Sequence, residues 1–272
     1  MKPKHINFGK KSFNLLMITS VLQGGLGNQM FQIAAAWSLS KKIGSECFFD
    51  LESSKIETQG NPSNKYKDNL FKNVTDLKIS DFDYEIYTEP TFSYLDLPQK
   101  DNLTLKGYFQ SEKYFYEYKS EIKNLFFIDD NKLVGTQKLV NENSGDRKTC
   151  SIHVRRGDYL QKPNFHPTCD MNYYKKAMSL MNADKYYIVS DDLSWCKENF
   201  IGNEFVFSPF TDEINDLYLI MSCKNHIIAN SSFSWWGAYL SGYNMVISPK
   251  LWFGIYGPRD TQDIYCHNWI KI

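Results

Sequence analysis

The sequence predicts an α/β protein, and three observations carry that expectation. Short apolar runs alternate with stretches of helical periodicity along most of the chain, the pattern of helices layered on sheets. Two handovers from run to helix are rich in glycine or serine, at Gly24 to Gln29 and at Asn230 to Ser234. A third apolar run closes on His153-Val-Arg-Arg-Gly-Asp158, so charged groups collect where a strand would end.

In chain order, Lys2, Lys4, Lys10 and Lys11 precede a short apolar run at 15–22 that superficially resembles a signal peptide. Thr19 and Ser20 interrupt the run and a glycine loop follows it, so it reads as a first strand. Met30, Ile33, Ala34, Trp37 and Ser38 set a helix over 30–43. Three glycines before it permit positive φ and close backbone approach. Met30 stands where the third glycine of a dinucleotide fingerprint would be, so that site is rejected. Asn28 and Gln29 suit either a ligand contact or a helix cap.

Residues 46–50 read as a strand, 53–67 as a surface loop, 104–110 as a strand and 113–127 as a helix rich in tyrosine and phenylalanine. The polar stretch 141–148 is the expected boundary, dividing the chain near residue 147 into domains 1–147 and 148–272. Beyond it, strands are expected at 149–154, 185–192, 203–207, 226–229 and 243–249, with helices at 173–181 and 212–222. The aromatic tail 251–269 is expected to close back over the fold, returning toward the first domain.

Composition narrows the function. The 31 basic and 31 acidic residues cancel, which speaks against nucleic acid and makes any anion site local. Six scattered cysteines without a Cys-x-x-Cys pair indicate neither a zinc site nor a disulfide framework and fit a reducing compartment. No stretch is long enough to span a bilayer.

Local chemistry points to an anionic ligand. Arg155 and Arg156 should face opposite ways from the strand end, one into a cleft and one braced on a carboxylate. A guanidinium fork matches a phosphate, whereas Asp158 suits an ion pair that orients an arginine. Ser190, Asp191 and Asp192 end the next strand, with Asp192 placed to cap a helix and Asp191 free for a ligand. Ser231 and Ser232 open a helix, either as caps or as part of an anion cradle, and Trp235 and Trp236 read as core.

Four stretches together resemble the α-1,2-fucosyltransferases of glycosyltransferase family 11: Gly24-Gly-Leu-Gly-Asn-Gln29, His153-Val-Arg-Arg-Gly-Asp-Tyr159, Tyr187-Ile-Val-Ser-Asp-Asp192 and Ser231-Ser-Phe-Ser-Trp-Trp-Gly-Ala238. The resemblance runs from about residue 16 to near the C-terminus. It implies a GT-B fold of two Rossmann-like domains facing a central cleft, GDP-fucose as donor, inversion at the fucose anomeric carbon and no metal. It makes Arg155 the group that holds the donor diphosphate and stabilises departing GDP; a base for the acceptor hydroxyl would be Asp158 or His153. His153, Arg156, Ser190 and Asp191 would lie at the nucleotide, Ser231, Ser232 and Phe233 at the phosphate, and Gly27 and Asn28 would reach the cleft from the first domain. The acceptor would be a galactose-terminated oligosaccharide or lipid-linked glycan, and the enzyme a bacterial type, cytoplasmic or peripheral at the inner membrane.

Three competing readings remain at this level. Asp81-Phe82-Asp83 and Asp129-Asp130 would serve a metal-dependent transferase. A non-catalytic nucleotide- or glycan-binding module would keep the cleft without turnover. A fucosyltransferase of other linkage would share the glycine and arginine motifs.

Overall fold

The computed structural model describes residues 17–52, 54, 60–78 and 85–272. Two parallel sheets order it. The first runs β2 (Glu46–Cys47), β1 (Met17–Ser20), β4 (Leu103–Lys106), β3 (Glu85–Thr88), and every neighbouring pair is parallel. The second runs β10 (Ile270–Lys271), β9 (Met245–Ser248), β8 (Asn225–Ile227), β5 (Thr149–Val154), β6 (Lys185–Ser190), β7 (Phe205–Phe207), again parallel throughout. Strands covered on both faces are buried at successive residues, and β1 and most of β5 follow that pattern, taking Thr19, Ser20, Ser151 and His153 inside with them.

Helix α1 (Leu26–Ile43) opens directly from the glycine loop, four residues earlier than the periodicity of Met30 to Ser38 suggests. It ends at Gly44 in the left-handed region, with Lys41 and Lys42 in the last turn where the helix dipole favours cations. Thirteen of its residues are buried, because α1 lies between its sheet and α7 (Ser232–Ser241). Phe31 stands 4.5 Å from Trp235 and 5.1 Å from Trp236, and Phe115 stacks on Trp236 at 5.4 Å. Both tryptophans are fully buried in the core, so the two sheets share one aromatic centre.

The expected helix over 113–127 divides into two short 3₁₀ turns at Glu112–Tyr114 and Tyr116–Tyr118 followed by α2 (Lys119–Leu125). Residues 141–144, expected as part of a linker, form the last turn of α3 (Asp130–Ser144). This helix packs beneath the second sheet: the Tyr187 hydroxyl donates to the Val140 carbonyl at 2.8 Å, and Thr136 bonds Ser222 of α6 (Glu213–Ser222) at 2.7 Å. Helices α4 (Met171–Met181) and α5 (Leu193–Asn199) supply the crossovers from β5 to β6 and from β6 to β7.

The C-terminal tail reaches the first half of the chain. The Asp260 carboxylate accepts from the Thr91 hydroxyl and from the Ser93 amide at 3.0 Å, and Asp263 accepts from the Tyr94 amide at 2.9 Å. All six cysteines are free thiols.

Candidate active site

Strand β5 has β6 on one side and β8 on the other, so the chain leaves β5 and β8 into a crevice at the carboxyl edge of the second sheet. Open parallel sheets bind ligands at such a switch in strand order. The β5 exit carries Arg155, and the β8 exit carries Asn230 and Ser231, which lead into α7.

Arg155 is held on three sides. One terminal nitrogen bonds Asp158 at 2.5 Å, the other bonds Asp191 at 2.9 Å, and the guanidinium carbon lies 5.2 Å from the centre of the Tyr159 ring. Tyr159 is itself fixed, its hydroxyl donating to the Asn230 carbonyl at 3.0 Å and its ring stacked on His166 at 4.5 Å. Asp158 therefore orients Arg155, as its spacing suggests.

Asp191, expected at the nucleotide, lies between the two arginines. One carboxylate oxygen accepts the Arg156 amide at 2.9 Å and the other pairs with Arg155. Gly157 admits that carboxylate, because a β-carbon there would strike Asp191 Oδ2. Arg156 turns away, bonding Asp192 at 3.0 Å with its guanidinium 4.2 Å over Trp195. Asp192 caps α5 by accepting the Trp195 amide at 3.1 Å, and backbone bonding with the Arg156 pair holds its carboxyl below the usual carboxylate range. Ser190, also expected at the nucleotide, accepts the Asp192 amide at 2.9 Å in a local turn.

His153 is 5% exposed, and its Nδ1 is buried without a partner. Burial, with Arg155 adding to it, pushes its pKa down to about 3. A ring held neutral in this way is less suited to accept a proton, which weighs against that role for His153.

The α7 start joins the two halves. Asn28 Oδ1 accepts the Ser232 hydroxyl at 2.6 Å and the Gln110 amide nitrogen at 2.7 Å. Of the three glycines in the loop, Gly24 alone takes a positive φ. Gly27 has another reason: a β-carbon there would land on the Ser232 backbone carbonyl. Its own carbonyl accepts the Trp236 indole N–H at 3.0 Å. The Ser232 hydroxyl thus bridges the halves, and the first-turn amides of Ser232, Phe233 and Ser234 have no intrahelical partner. Ser231 is buried at the N-cap without a side-chain capping bond, and Phe233 packs 5.5 Å from the His153 ring.

Gln110 and His166 join the site without having been singled out in the sequence. Gln110 is 6% exposed and its Oε1 has no partner, while its nitrogen holds Asn28. Phe109, a non-glycine at φ 51°, turns the chain just before it, and Glu89 accepts the Tyr108 and Phe109 amides at 2.6 and 3.0 Å. The one available signal was position, since Gln110 follows the carboxyl end of β4.

Asp81 and Asp83 lie outside the described residues. Asp129 caps α3, accepting the Asn131 amide at 3.0 Å. Among the described residues no group of three His, Cys, Asp or Glu side chains is arranged to hold a metal ion.

Residues 5–272 match the profile of Glycosyl transferase family 11. The chain is 31% identical to the O-antigen biosynthesis glycosyltransferase WbnK of Escherichia coli, over 93% of this chain and 99% of that one. It is 30% identical to an Escherichia coli alpha-1,2-colitosyltransferase over 87% and 92% of the two chains, and 25% identical to the Mus musculus galactoside 2-alpha-L-fucosyltransferase Sec1 over 85% and 66%. Among solved structures, the fucosyltransferase NodZ from Bradyrhizobium superposes with a TM-score of 0.51 at 14% identity, covering 89% of this chain and 97% of that one. That likeness is one of fold, two Rossmann-like units in a GT-B-like arrangement.

Proposed function

The chain belongs to glycosyl transferase family 11, and from that premise we propose that it moves L-fucose from GDP-fucose to the 2-hydroxyl of a terminal galactose, inverting the fucose anomeric carbon. The observation that carries this reading is Arg155, fixed by two carboxylates and a tyrosine ring at the switch crevice beside the first turn of α7. A guanidinium has five N–H groups. Asp158 takes one of them and Asp191 forms an ion pair with the other terminal nitrogen, which leaves further N–H groups for a diphosphate. The amides opening α7 add donors and the positive end of a helix dipole.

In this reading the galactose hydroxyl attacks the anomeric carbon as its bond to GDP breaks. Charge gathers on the β-phosphate, where Arg155 and the α7 amides stabilise it. The hydroxyl proton would go to Asp158 or His153, and a proton arriving on Asp158 would release its ion pair with Arg155. The Asn28 bond to Ser232 keeps the glycine loop against the α7 start, so acceptor side and donor side hold a fixed spacing.

The relatives with a stated linkage carry colitosyl and fucosyl activities with a common 1,2 or 2-position linkage, which supports the linkage more firmly than the donor sugar. The O-antigen relative supports a surface-polysaccharide acceptor, free or lipid-linked, modified in the cytoplasm or peripherally at the inner membrane. Among the described residues no helix is long and apolar enough to cross a membrane.

The test is incubation with GDP-fucose and, in parallel, GDP-colitose, using lactose and N-acetyllactosamine as acceptors, followed by linkage analysis of the product by NMR. A fucosyl residue on the galactose 2-hydroxyl supports the reading. Preferred turnover of GDP-colitose would change the donor. A product at another position would refute the linkage, and bound GDP-sugar with no release of GDP would mark a binding module.

A further inference from the structure

We infer that a tyrosine-lined cavity on the flank of α1 is a second saccharide subsite, holding the inner sugars of an extended neutral oligosaccharide whose terminal galactose lies in the crevice. The inference rests on the acceptor class proposed above and adds a place for the rest of the acceptor. The cavity has a volume of about 290 Å³ and takes four tyrosines, Tyr94, Tyr114, Tyr116 and Tyr118, from two loops of the first half of the chain.

Two properties select a sugar. The first is ring surface: Tyr116 is 63% exposed, while Tyr94 and Tyr114 pack on one another at 4.8 Å and stiffen the wall beside it. Aromatic faces take the C–H faces of sugars while polar groups around them meet the hydroxyls. The second is charge. Lys42 and Lys113 are balanced by Asp96 and Glu117 in the same lining, and Lys113 is further paired with Asp263 at 2.6 Å. A wall with no net positive charge does not recruit a phosphate or a uronic acid. It does offer both donors and acceptors, with Gln99 supplying each from one side chain.

Position connects the cavity to the chemistry. Helix α1 begins at the crevice with Asn28 and contributes Ser38 and Lys42 to the cavity, a separation of about 15 to 21 Å along the axis at 1.5 Å per residue. Both lining loops start at the crevice edge: residues 89–102 leave the end of β3, and residues 107–118 leave the end of β4 and include Gln110. Asp263 of the tail ties them together, accepting the Tyr94 amide at 2.9 Å and pairing with Lys113. A linear glycan leaving the crevice along these loops meets the cavity several residues in from its galactose end.

The experiment compares lactose with the neutral tetrasaccharide lacto-N-neotetraose, using wild type, Tyr116→Ala and Glu117→Gln. Wild type should show roughly tenfold higher kcat/KM for the tetrasaccharide, carried by KM. Both variants should lose most of that advantage and leave lactose turnover unchanged. Equal efficiency of wild type on the two acceptors, or equal loss on both in the variants, overturns the subsite. Saturation-transfer NMR of the tetrasaccharide provides a readout independent of turnover. Signals from the inner sugars that disappear in Tyr116→Ala support the subsite even if neither acceptor is fucosylated, and no inner-sugar signal with wild type refutes it. Failure of transfer to both acceptors, by contrast, counts against the proposed activity alone.

Discussion

The Asn28 side-chain carbonyl accepts a hydrogen bond from the Ser232 hydroxyl at 2.6 Å, across 204 residues of chain. It places the first turn of α1 against the first turn of α7, the two helix starts that follow the glycine loop and the serine loop.

Gly27→Ala tests that approach. The new β-carbon would meet Ser232 backbone, which cannot rotate aside as a side chain could, so α1 or α7 must shift. Melting temperature and turnover should both fall, by roughly 1 to 3 kcal/mol in stability as for an overpacked core. An unchanged melting curve would show that the helices have slack.

Arg155→Ala should lower turnover at saturating donor by ~10² to 10³, about 2.7 to 4 kcal/mol, as loss of a positioned charge-stabilising donor does. Arg155→Lys should restore little, since one ammonium cannot serve Asp158, Asp191 and a phosphate in fork geometry. Asp191→Asn should produce an intermediate loss through a less well held Arg155. Near-normal turnover in Arg155→Ala would remove it from the leaving-group role.

Two buried histidines predict the acid side of the stability profile. His153 and His226 both have pKa values pushed down to about 3 by burial, against an unfolded value near 6.5. The unfolded chain then binds more protons between those values, so stability is complete above pH 6.5 and declines as pH falls toward 3. His226 is additionally fixed between Ser151 at 2.7 Å and Ser241 at 2.8 Å. Thermal unfolding at intervals from pH 8 to pH 4 should show the decline, and His153→Gln should make it shallower by removing one of the two contributions. A flat profile in wild type would show that the rings protonate in the folded state.

Transfer should persist in excess EDTA, because Arg155 and the α7 amides are proposed to meet the phosphate charge. Complete loss of activity, recovered on adding magnesium or manganese, would assign that charge to a cation.

Much of the second sheet was legible because parallel strands buried on both faces are written as unbroken apolar runs. Tyr186 to Val189 is an example, and Asp192 was legible separately as a helix cap. Strand β3 escaped notice: Glu85–Thr88 is short, lies at a sheet edge and is largely exposed, so it carries no apolar signature. The helix expected at 113–127 broke into turns where Phe115 leaves the helical course to enter the aromatic core. Within the site, the Arg155 and Asp158 pair could be read from a spacing of three residues. The engagement of Ser232 by Asn28, of Asp191 by Arg155 and of Asn28 by Gln110 could not, since each depends on elements brought together only by the folded sheets.

The aromatic centre formed by Phe31, Phe115, Trp235 and Trp236 has a consequence for how the molecule can be taken apart. A cut anywhere between the sheets would strip one wall from that centre and leave oily rings facing water on both fragments. Separately expressed halves should therefore precipitate or remain unfolded, and a mixture of the two should regain solubility only by reassembling around the tryptophans.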